Sequence, residues 1–335
     1  MKKILLILVL LEAALIIYLL QARNLPKKIQ NPVAAEQQLL KYTFANLKKY
    51  KPVTSGIGIE NEIRKGTGFI SYLYFFRSNG KRISGLLNIP SQPGKYPIML
   101  LIRGFVDPSV YETGMGSQRV GEYFASKGFI TVSPDFLGYG QSDKPSNDAF
   151  EDRFQTYITI IDLLSSLPNL NVGLEKKELT GFQADVNKIG IWAHSNGGQI
   201  MLSVAEITGI NYPLVLWAPV TKPFPYSILY YTDEFDDRGK ALRKVLAKFE
   251  QSYDVEQYSL TNYYDWIKAP IQVHQGISDE EVPVVWSDEL ENNMKDKKKE
   301  IEYYRYAGED HNFQNGSWSL AVERSLEFIK NNLPK

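Results

Sequence analysis

Residues 189–198 read IGIWAHSNGG, an apolar strand-like run that ends at a serine and is followed by two glycines. The serine is Ser195, and small residues, Ala193 and Gly197, stand two positions before and after it. This pattern is typical of a serine held in strained backbone at a sharp turn from a strand into a helix. Alanine replaces the usual first glycine and is small enough to fit. The stretch therefore predicts a nucleophilic serine, with the backbone N–H of Asn196 as an oxyanion donor.

Two further polar residues follow apolar runs near the C-terminus. Asp279 and His311 each stand in a loop just beyond a short run that reads as a strand. An acid in the first loop can hold the imidazole in the right tautomer, and His311 can then act as general base. Glu280 and Glu281 are alternative acids by charge. The chain order of serine, acid and histidine, each at a strand end, predicts a catalytic triad with Ser195.

Short apolar strands alternate with helical segments in the rest of the chain. The predicted strands are 69–77, 82–89, 98–102, 129–133, 189–193, 214–217, 271–274 and 301–306, and the predicted helices are 117–127, 150–167, 197–207, 284–294 and 318–331. Asn79-Gly80 between the first two strands is a strong hairpin signal. From residue 97 onward, continuous apolar strands between helices predict an α/β fold with a mostly parallel central sheet and helices on both faces.

Four segments together resemble the catalytic domain of the prolyl oligopeptidase family, within the α/β-hydrolase superfamily. They are 134–143 (PDFLGYGQSD), 194–198 (HSNGG), 276–283 (GISDEEVP) and 310–313 (DHNF). The resemblance covers the chain from about residue 69 to the C-terminus. It implies an α/β-hydrolase fold, serine-peptidase activity, and Ser195, Asp279 and His311 as the triad.

The substrate class has alternatives. We expect no β-propeller of the kind that the prolyl oligopeptidase family carries before its catalytic domain, because fewer than about fifty residues separate the apolar N-terminal run from the first predicted strand. We also find no acidic pair in such a context that would hold a peptide amino terminus. A carboxylesterase of the dienelactone-hydrolase or acetyl-esterase kind is therefore the alternative to a peptidase. A non-catalytic binding protein on a hydrolase scaffold is a third reading, and the complete triad disfavours it.

The second oxyanion donor is expected from the loop after the predicted strand 98–102. This loop begins with Arg103, where many α/β-hydrolases have a histidine before the glycine. Since only a backbone N–H is required, Phe105 is the candidate. Gly104 or a tyrosine hydroxyl are the alternatives.

An insertion at 219–266 is longer than the sheet requires. It contains an aromatic and acidic stretch, followed by a basic amphipathic helix at 240–249. Insertions of this length are usually structured lids or binding elements. We expect a lid over Ser195, with candidate substrate-binding residues Tyr230, Tyr231, Asp233 and Glu234. The tyrosines suit an apolar side chain, and the acids suit a cationic amino group.

Composition excludes several classes of protein. Thirty-eight basic and 38 acidic residues cancel, so no long-range field indicates a nucleic-acid partner. Cysteine is absent from the sequence, which excludes disulfides and thiolate metal sites. The three histidines are far apart along the chain, so neither a metal site nor a cofactor is expected. One of them, His274, lies inside a predicted core strand and is expected to be buried and hydrogen-bonded.

The N-terminus predicts a membrane anchor. Lys2 and Lys3 precede an apolar run at 4–20, which is at the short end of what spans a bilayer. We expect residues 1–23 to form a single-pass anchor, with the catalytic domain outside the cytoplasm. Secretion after signal cleavage is the alternative. Beyond the anchor, residues 24–66 are expected to form a linker and an amphipathic helix at 33–50, and residues 67–335 the catalytic domain.

Overall fold

The computed structural model describes residues 38–234 and 236–335. Its strands are β1 (Gly58–Gly66), β2 (Phe69–Ser78), β3 (Lys81–Pro90), β4 (Gly94–Ile102), β5 (Ile130–Pro134), β6 (Phe182–His194), β7 (Leu214–Trp217), β8 (Ile271–Gly276) and β9 (Ile301–Tyr306). They form a nine-stranded sheet in the order β1-β2-β3-β5-β4-β6-β7-β8-β9. Residues Leu40–Lys335 form one compact unit.

Strand direction changes across the width of the sheet. β1 pairs antiparallel with β2, β2 pairs antiparallel with β3, and β3 also pairs antiparallel with β5. From β5 through β4 to β9 every neighbouring pair is parallel. The prediction of a mostly parallel sheet is confirmed. Because parallel strands end at the same edge of a sheet, the loops after β4, β6, β8 and β9 converge there.

Helices cover both faces of the sheet. They are α1 (Phe44–Leu47), α2 (Gln118–Ser126), α3 (Ala149–Ser166), α4 (Leu170–Lys176), α5 (Asn196–Thr208), α6 (Tyr226–Leu229), α7 (Lys240–Glu250), α8 (Val284–Asp296) and α9 (Trp318–Asn332). On one face, Phe124 of α2 and Ile329 of α9 join Met99 and Leu101 of β4 in a buried cluster. On the other face, α3 and α5 pack against each other and against the sheet. Helices on both faces are therefore confirmed.

The predicted hairpin is confirmed. β2 and β3 pair without interruption from Phe69 opposite Pro90 to Ser78 opposite Lys81. The two residues of the turn, Asn79 and Gly80, have φ of 47° and 79°. Asparagine and glycine tolerate positive φ better than other residues, which is why this dipeptide closes the hairpin.

The segment before the hairpin differs from its prediction. In place of one amphipathic helix, the described part has a 3₁₀ segment at Gln38–Tyr42 and the single turn of α1. Thr43 separates them, because its side chain accepts a hydrogen bond from Asn46 N and caps α1. Gly58–Gly66, expected to belong to the linker, instead forms β1 at the edge of the sheet. Its residues are mostly exposed, so no apolar alternation marked it as a strand.

The insertion after β7 folds into short helices. It includes α6, the predicted basic helix α7, and 3₁₀ segments at Tyr230–Glu234, Val255–Tyr258, Leu260–Asn262 and Tyr264–Trp266. Aromatic contacts join it to α3. The ring centroid of Phe154 in α3 lies 5.4 Å from the ring centroid of Phe224 and 5.0 Å from that of Tyr258. Apolar packing against a core helix therefore holds this element to the sheet.

The predicted membrane anchor at 1–23 lies outside the described residues. Within residues 38–234 and 236–335, no helix is long and apolar enough to cross a membrane.

Candidate active site

Ser195 lies at the predicted turn from β6 into α5. Its backbone has φ 56° and ψ −124°, a strained conformation for a residue with a side chain. The Ser195 N–H donates to the Trp217 carbonyl at 2.9 Å, and the Ser195 carbonyl accepts from Val220 N at 3.0 Å. A Cβ on Gly197 would lie 2.3 Å from the Ile102 carbonyl oxygen, so only glycine fits beside the neighbouring strand. The surrounding backbone therefore holds the serine in the strained turn.

The loop after β4 lies directly against the serine. A Cβ added to Gly104 would lie 2.8 Å from Ser195 Cβ and 3.3 Å from Ser195 Oγ. The absence of a side chain at Gly104 allows this approach. The loop that was expected to supply the second oxyanion donor is therefore in contact with the predicted nucleophile.

Asp279 and His311 form a buried pair. His311 Nδ1 donates to Asp279 Oδ2 at 2.9 Å, and the two side chains are 5% and 0% exposed for His311 and Asp279 respectively. The Asp279 carboxylate also accepts from Gln275 Nε2 at 2.8 Å and from the backbone N–H of Glu281 and Val282. An acid bonded to Nδ1 leaves Nε2 as the nitrogen that can accept a proton.

The two alternative acids are placed differently. Glu280 is exposed. Glu281 has a side chain that is 64% exposed, and its Oε2 lies 3.6 Å from the other imidazole nitrogen, His311 Nε2. Asp279 is therefore the acid whose geometry matches the predicted role.

His194 supports the histidine loop from beside the serine. Its Nε2 donates to the His311 backbone carbonyl at 3.0 Å, and the centroids of the two rings are 4.5 Å apart. Burial lowers the pKa of His194 to about 3, with a smaller contribution from His311, so the ring is neutral. On the same side, a Cβ on Gly276 would lie 2.4 Å from the Glu309 carbonyl oxygen. The His194 bond thus holds the His311 loop beside the serine turn, and the close approach at Gly276 brings together the loops that carry Asp279 and His311.

His274 is buried and hydrogen-bonded, as predicted. Its Nδ1 lies 2.7 Å from the Tyr306 hydroxyl and its Nε2 2.8 Å from Gln272 Oε1. Burial, and to a lesser degree the nearby Arg324, lowers its pKa to about 3.

Arg103 braces the loop that lies against Ser195. Its Nη1 donates to the Gly104 carbonyl and its Nη2 to the Asp135 carbonyl, both at 2.8 Å. The guanidinium carbon also lies 4.6 Å and 4.0 Å from the ring centroids of Tyr111 and Tyr139. The hydroxyls of these two tyrosines donate to a carboxylate and to a backbone carbonyl. Both hydroxyls are therefore already engaged, which disfavours them as oxyanion donors.

Two backbone N–H groups remain available near the serine. In a trans peptide the C=O and the following N–H point in opposite directions. Because Arg103 holds the Gly104 carbonyl, the Phe105 N–H points away from Arg103. Neither it nor the Asn196 N–H donates a hydrogen bond within the described part of the chain. The Phe105 side chain is 74% exposed, so the candidate donor role rests on its backbone alone.

A cavity of about 230 Å³ adjoins these donors. Phe105 and Asn196 line it together with residues of α3, α5 and the loop after β5. Arg153 of α3 also lines it, and no sequence motif predicted a role for this residue. One feature of the sequence could have indicated it. Arg153 stands three residues after Phe150 and four before Tyr157, so this spacing places a charged residue on the apolar face of its helix.

The insertion reaches the Asp279 side of the site. The ring centroids of Tyr230 and Tyr231 lie 4.8 Å and 6.4 Å from that of Trp286. Burial raises the pKa of Tyr231, and the nearby Asp279 carboxylate raises it further. The side chains of Asp233 and Glu234 lie outside the described residues.

In residues 38–234 and 236–335, no cluster of three or more His, Cys, Asp or Glu side chains is arranged to hold a metal ion.

Two family models match the chain. The model of the prolyl oligopeptidase family matches residues 171–335, which include Ser195, Asp279 and His311. The chlorophyllase model matches residues 78–215. An uncharacterized peptidase of Bacillus subtilis (strain 168), YtmA, is 28% identical over 266 residues, which span 78% of this chain and 93% of that protein. The resemblance to the prolyl oligopeptidase family is confirmed by these matches.

Solved structures share the fold at low sequence identity. An acetyl xylan esterase from Paenibacillus sp. R4 aligns over 89% of this chain and 95% of its own, with a TM-score of 0.60 and 16% identity. A puromycin-hydrolyzing peptidase of Mycobacterium tuberculosis aligns over 82% of this chain and 41% of its own, with a TM-score of 0.56 and 19% identity. These likenesses establish the shared fold.

Proposed function

We propose that this chain, a serine hydrolase of the α/β-hydrolase type, cleaves peptide bonds through an acyl-serine intermediate. One observation carries the proposal: the 2.9 Å bond between His311 Nδ1 and Asp279 lies at the same sheet edge as Ser195 in its strained turn. A serine, an imidazole and a buried carboxylate in these positions are the components of acyl transfer. In this proposal Ser195 is the nucleophile, His311 the general base and Asp279 the orienting acid.

The proposed steps use each group in turn. Ser195 Oγ attacks the scissile carbonyl while His311 Nε2 takes the hydroxyl proton. The N–H groups of Asn196 and Phe105 stabilise the oxyanion that develops. His311 then gives the proton to the leaving amine, and the acyl-serine remains. A water molecule, activated by the same histidine, hydrolyses the acyl-serine and releases the acid.

Peptides are favoured over esters by the sequence relatives. Of the two matched family models, that of the prolyl oligopeptidase family carries a peptidase name, as does the relative from Bacillus subtilis. Ester cleavage by the same acyl-serine chemistry is the second candidate. The observation that supports ester cleavage is the same set of acyl-transfer groups. These groups serve both reactions, whether the leaving atom is oxygen or nitrogen.

A paired assay tests the proposal. Labelling by a fluorophosphonate probe, lost in Ser195→Ala, separates a hydrolase from a non-catalytic binding protein. Turnover of peptide amides and of short p-nitrophenyl esters is then measured side by side. We expect amide cleavage that disappears in Ser195→Ala and His311→Ala. Cleavage of esters without amides would reject the peptidase and leave the esterase.

We also propose that the insertion at 219–266 covers the Asp279 side of the site. Tyr230 and Tyr231, which stand next to Trp286, support this position. Asp237, an acid of the insertion, is not assigned a role in substrate binding. Asp237 accepts from the N–H groups of Gly239 and Ala241 at the start of α7, so its carboxylate has structural partners.

A further inference from the structure

Arg153 presents a cationic side chain to the cavity beside the proposed oxyanion donors. The cavity of about 230 Å³ is lined by Arg153 and also by Phe105 and Asn196. An empty space of this size holds several water molecules or one polar side chain, since a water occupies about 30 Å³ in the liquid. A substrate group that enters the cavity therefore lies next to the scissile carbonyl and within reach of α3.

The guanidinium of Arg153 is incompletely paired. Its Nη2 donates to Gln199 Oε1, and Gln199 Nε2 in turn donates to Ser227 Oγ at 3.1 Å. Its Nε is buried without a hydrogen-bond partner among the residues that the structure describes. A buried donor without a partner is expensive, and native proteins pair most such groups. The guanidinium therefore keeps donor capacity beyond its bond to Gln199. Its Nη1 makes no hydrogen bond within the described part of the chain and is not buried, so Nη1 is the nitrogen open to an acceptor that arrives with a ligand.

Charge strengthens this conclusion. The titratable groups that act on Arg153 are Tyr157 and Tyr231, and neither is a carboxylate. Burial lowers the pKa of Arg153, but a guanidinium remains protonated at neutral pH. A partly buried cation without a described anionic partner is a natural receptor for a carboxylate, which its planar fork binds with two parallel hydrogen bonds.

The cavity wall contains a carboxylate next to Arg153 in the sequence. Asp152 also lines the cavity, and adjacent positions on a helix do not face each other. Burial raises the pKa of Asp152, and Lys81 is the charged group that acts on it in the opposite direction. Asp152 and Arg153 therefore have different electrostatic partners, and Asp152 does not neutralise Arg153.

We propose that Arg153 forms an anion subsite that binds a substrate carboxylate close to the scissile bond. The enzyme would then prefer acyl substrates that carry such a carboxylate over their neutral isosteres. This inference rests on the proposed function, because the cavity is defined as a subsite by its contact with the oxyanion donors. The carboxylate has two possible sources in peptides, an acidic side chain or the free C-terminus.

Matched substrates identify the source. The first arm compares kcat/KM for peptides with Glu or Gln on either side of the scissile bond. The second arm compares a dipeptide that has a free C-terminal carboxylate with its C-terminal amide. A preference for the charged member in one arm, falling about 10- to 100-fold in Arg153→Met, supports the subsite and names the source. Equal rates for charged and neutral members in both arms would overturn it.

A second readout separates this inference from the proposed function. The rate of fluorophosphonate labelling is measured in the presence of glutarate or of neutral glutaramide. We expect glutarate to protect Ser195 more than glutaramide, and this difference to be lost in Arg153→Met. That result supports the subsite even if only esters are cleaved. Equal protection by both compounds contradicts the subsite, whatever substrate is cleaved.

Two control variants test whether the effect comes from the Arg153 charge and not from misfolding. Arg153→Lys keeps the charge without the planar fork and should retain part of the preference. Asp152→Asn removes a negative charge from the same cavity wall and should not lower the preference for the charged substrate. Circular dichroism and thermal melting check that each variant is folded. A fall of the preference in Asp152→Asn as large as in Arg153→Met would contradict a role for the Arg153 charge.

Discussion

Four hydrogen bonds orient the Asp279 carboxylate, and one of them comes from His311 Nδ1. The others come from Gln275 Nε2 and from the backbone N–H groups of Glu281 and Val282. At the scale of single residues, this network is the reason why Asp279, and neither of the two glutamates that follow it, is the proposed acid of the triad. The carboxylate has no freedom to turn away from the imidazole.

The first prediction concerns this acid. Asp279→Asn should lower kcat by about 10³- to 10⁴-fold, because an amide stabilises the wrong tautomer of the histidine. Glu281→Gln is the matched control, since the Glu281 side chain is largely exposed and does not contact Nδ1. Its effect should remain within a few-fold, as for an exposed charge. Near-normal turnover in Asp279→Asn with a large loss in Glu281→Gln would show that the acid is misassigned.

The second prediction concerns Arg103 as a positioning residue. Arg103→Met removes the hydrogen bond to the Gly104 carbonyl and frees the peptide that carries the Phe105 N–H. Since that N–H is proposed to act on the developing oxyanion, kcat should fall about 10- to 100-fold with KM little changed.

Steady-state kinetics separate kcat from KM in this variant, and Arg103→Lys should recover part of the rate. A purely structural role would instead lower thermal stability and leave the kcat of the folded fraction unchanged. That outcome would remove Arg103 from the positioning role.

At the scale of elements, helix α5 carries a proposed oxyanion donor at its first residue and a buried carboxyl group in its interior. Its first residue, Asn196, carries a proposed oxyanion donor, and its Gly197 fits tightly under β4. Further along, Glu206 is fully buried, and neither of its carboxylate oxygens has a hydrogen-bond partner in the described part of the chain. Burial raises the pKa of Glu206 well above its usual value of 4.5.

The third prediction follows from this buried acid. A carboxyl group whose pKa is raised by folding contributes full stability below its unfolded pKa and loses it as the pH rises. Glu206→Met should therefore increase the free energy of unfolding at pH 8 by about 1 to 3 kcal/mol, and by less at pH 4.5.

Urea denaturation at both pH values measures this difference. Glu206→Gln is the control, because it is neutral at every pH and keeps the polarity of the side chain. It should remove the contribution of Glu206 to the pH dependence, with a smaller gain in stability. A loss of stability at pH 8 in Glu206→Met would mean that the carboxyl group has a stabilising partner.

At the scale of the whole molecule, two buried histidines link stability to pH. Burial lowers the pKa of both His194 and His274 to about 3. An unfolded histidine has a pKa near 6.5, so the unfolded chain binds more protons between these values. Their contribution is fully present above about pH 6.5 and is lost as the pH falls toward about 3.

The fourth prediction uses His274, which lies outside the proposed catalytic groups. The free energy of unfolding should fall between pH 6.5 and 5, and each buried histidine should contribute roughly 1.4 kcal/mol per pH unit within the window. His274→Asn should reduce this slope by about the share of one histidine. Equal slopes for the variant and the parent would contradict the assignment of a neutral, buried His274.

The fifth prediction concerns residues 1–23, which we propose to be a membrane anchor. The full-length protein should sediment with membranes, and a variant without these residues should be released as an active enzyme. Immunoblotting of membrane and soluble fractions, together with fluorophosphonate labelling, measures both. A soluble mature chain that begins near Arg23 outside the cytoplasm would identify a cleaved signal peptide instead.

Some residues of the proposed site could be predicted from the sequence, and others could not. Ser195, Asp279 and His311 were predicted because each lies in a short motif at the end of an apolar strand, and both kinds of signal are local. Arg153 was not predicted, because its position in an apolar stripe has a meaning only once the cavity is known. Arg103 was noted as a departure from the usual histidine, but its contact with the Gly104 carbonyl depends on how the loop folds.

The sequence by itself determined the mostly parallel sheet, the Asn-Gly hairpin and the order of the triad residues, since periodicity, turn chemistry and motif spacing act over a few residues. Only the tertiary structure decided that β1 joins the edge of the sheet, that Asp279 rather than Glu281 meets His311 Nδ1, and that Arg153 lines the cavity beside Phe105. These are contacts between residues far apart in the chain. They depend on how helices and loops pack on the sheet, and local patterns do not encode that packing.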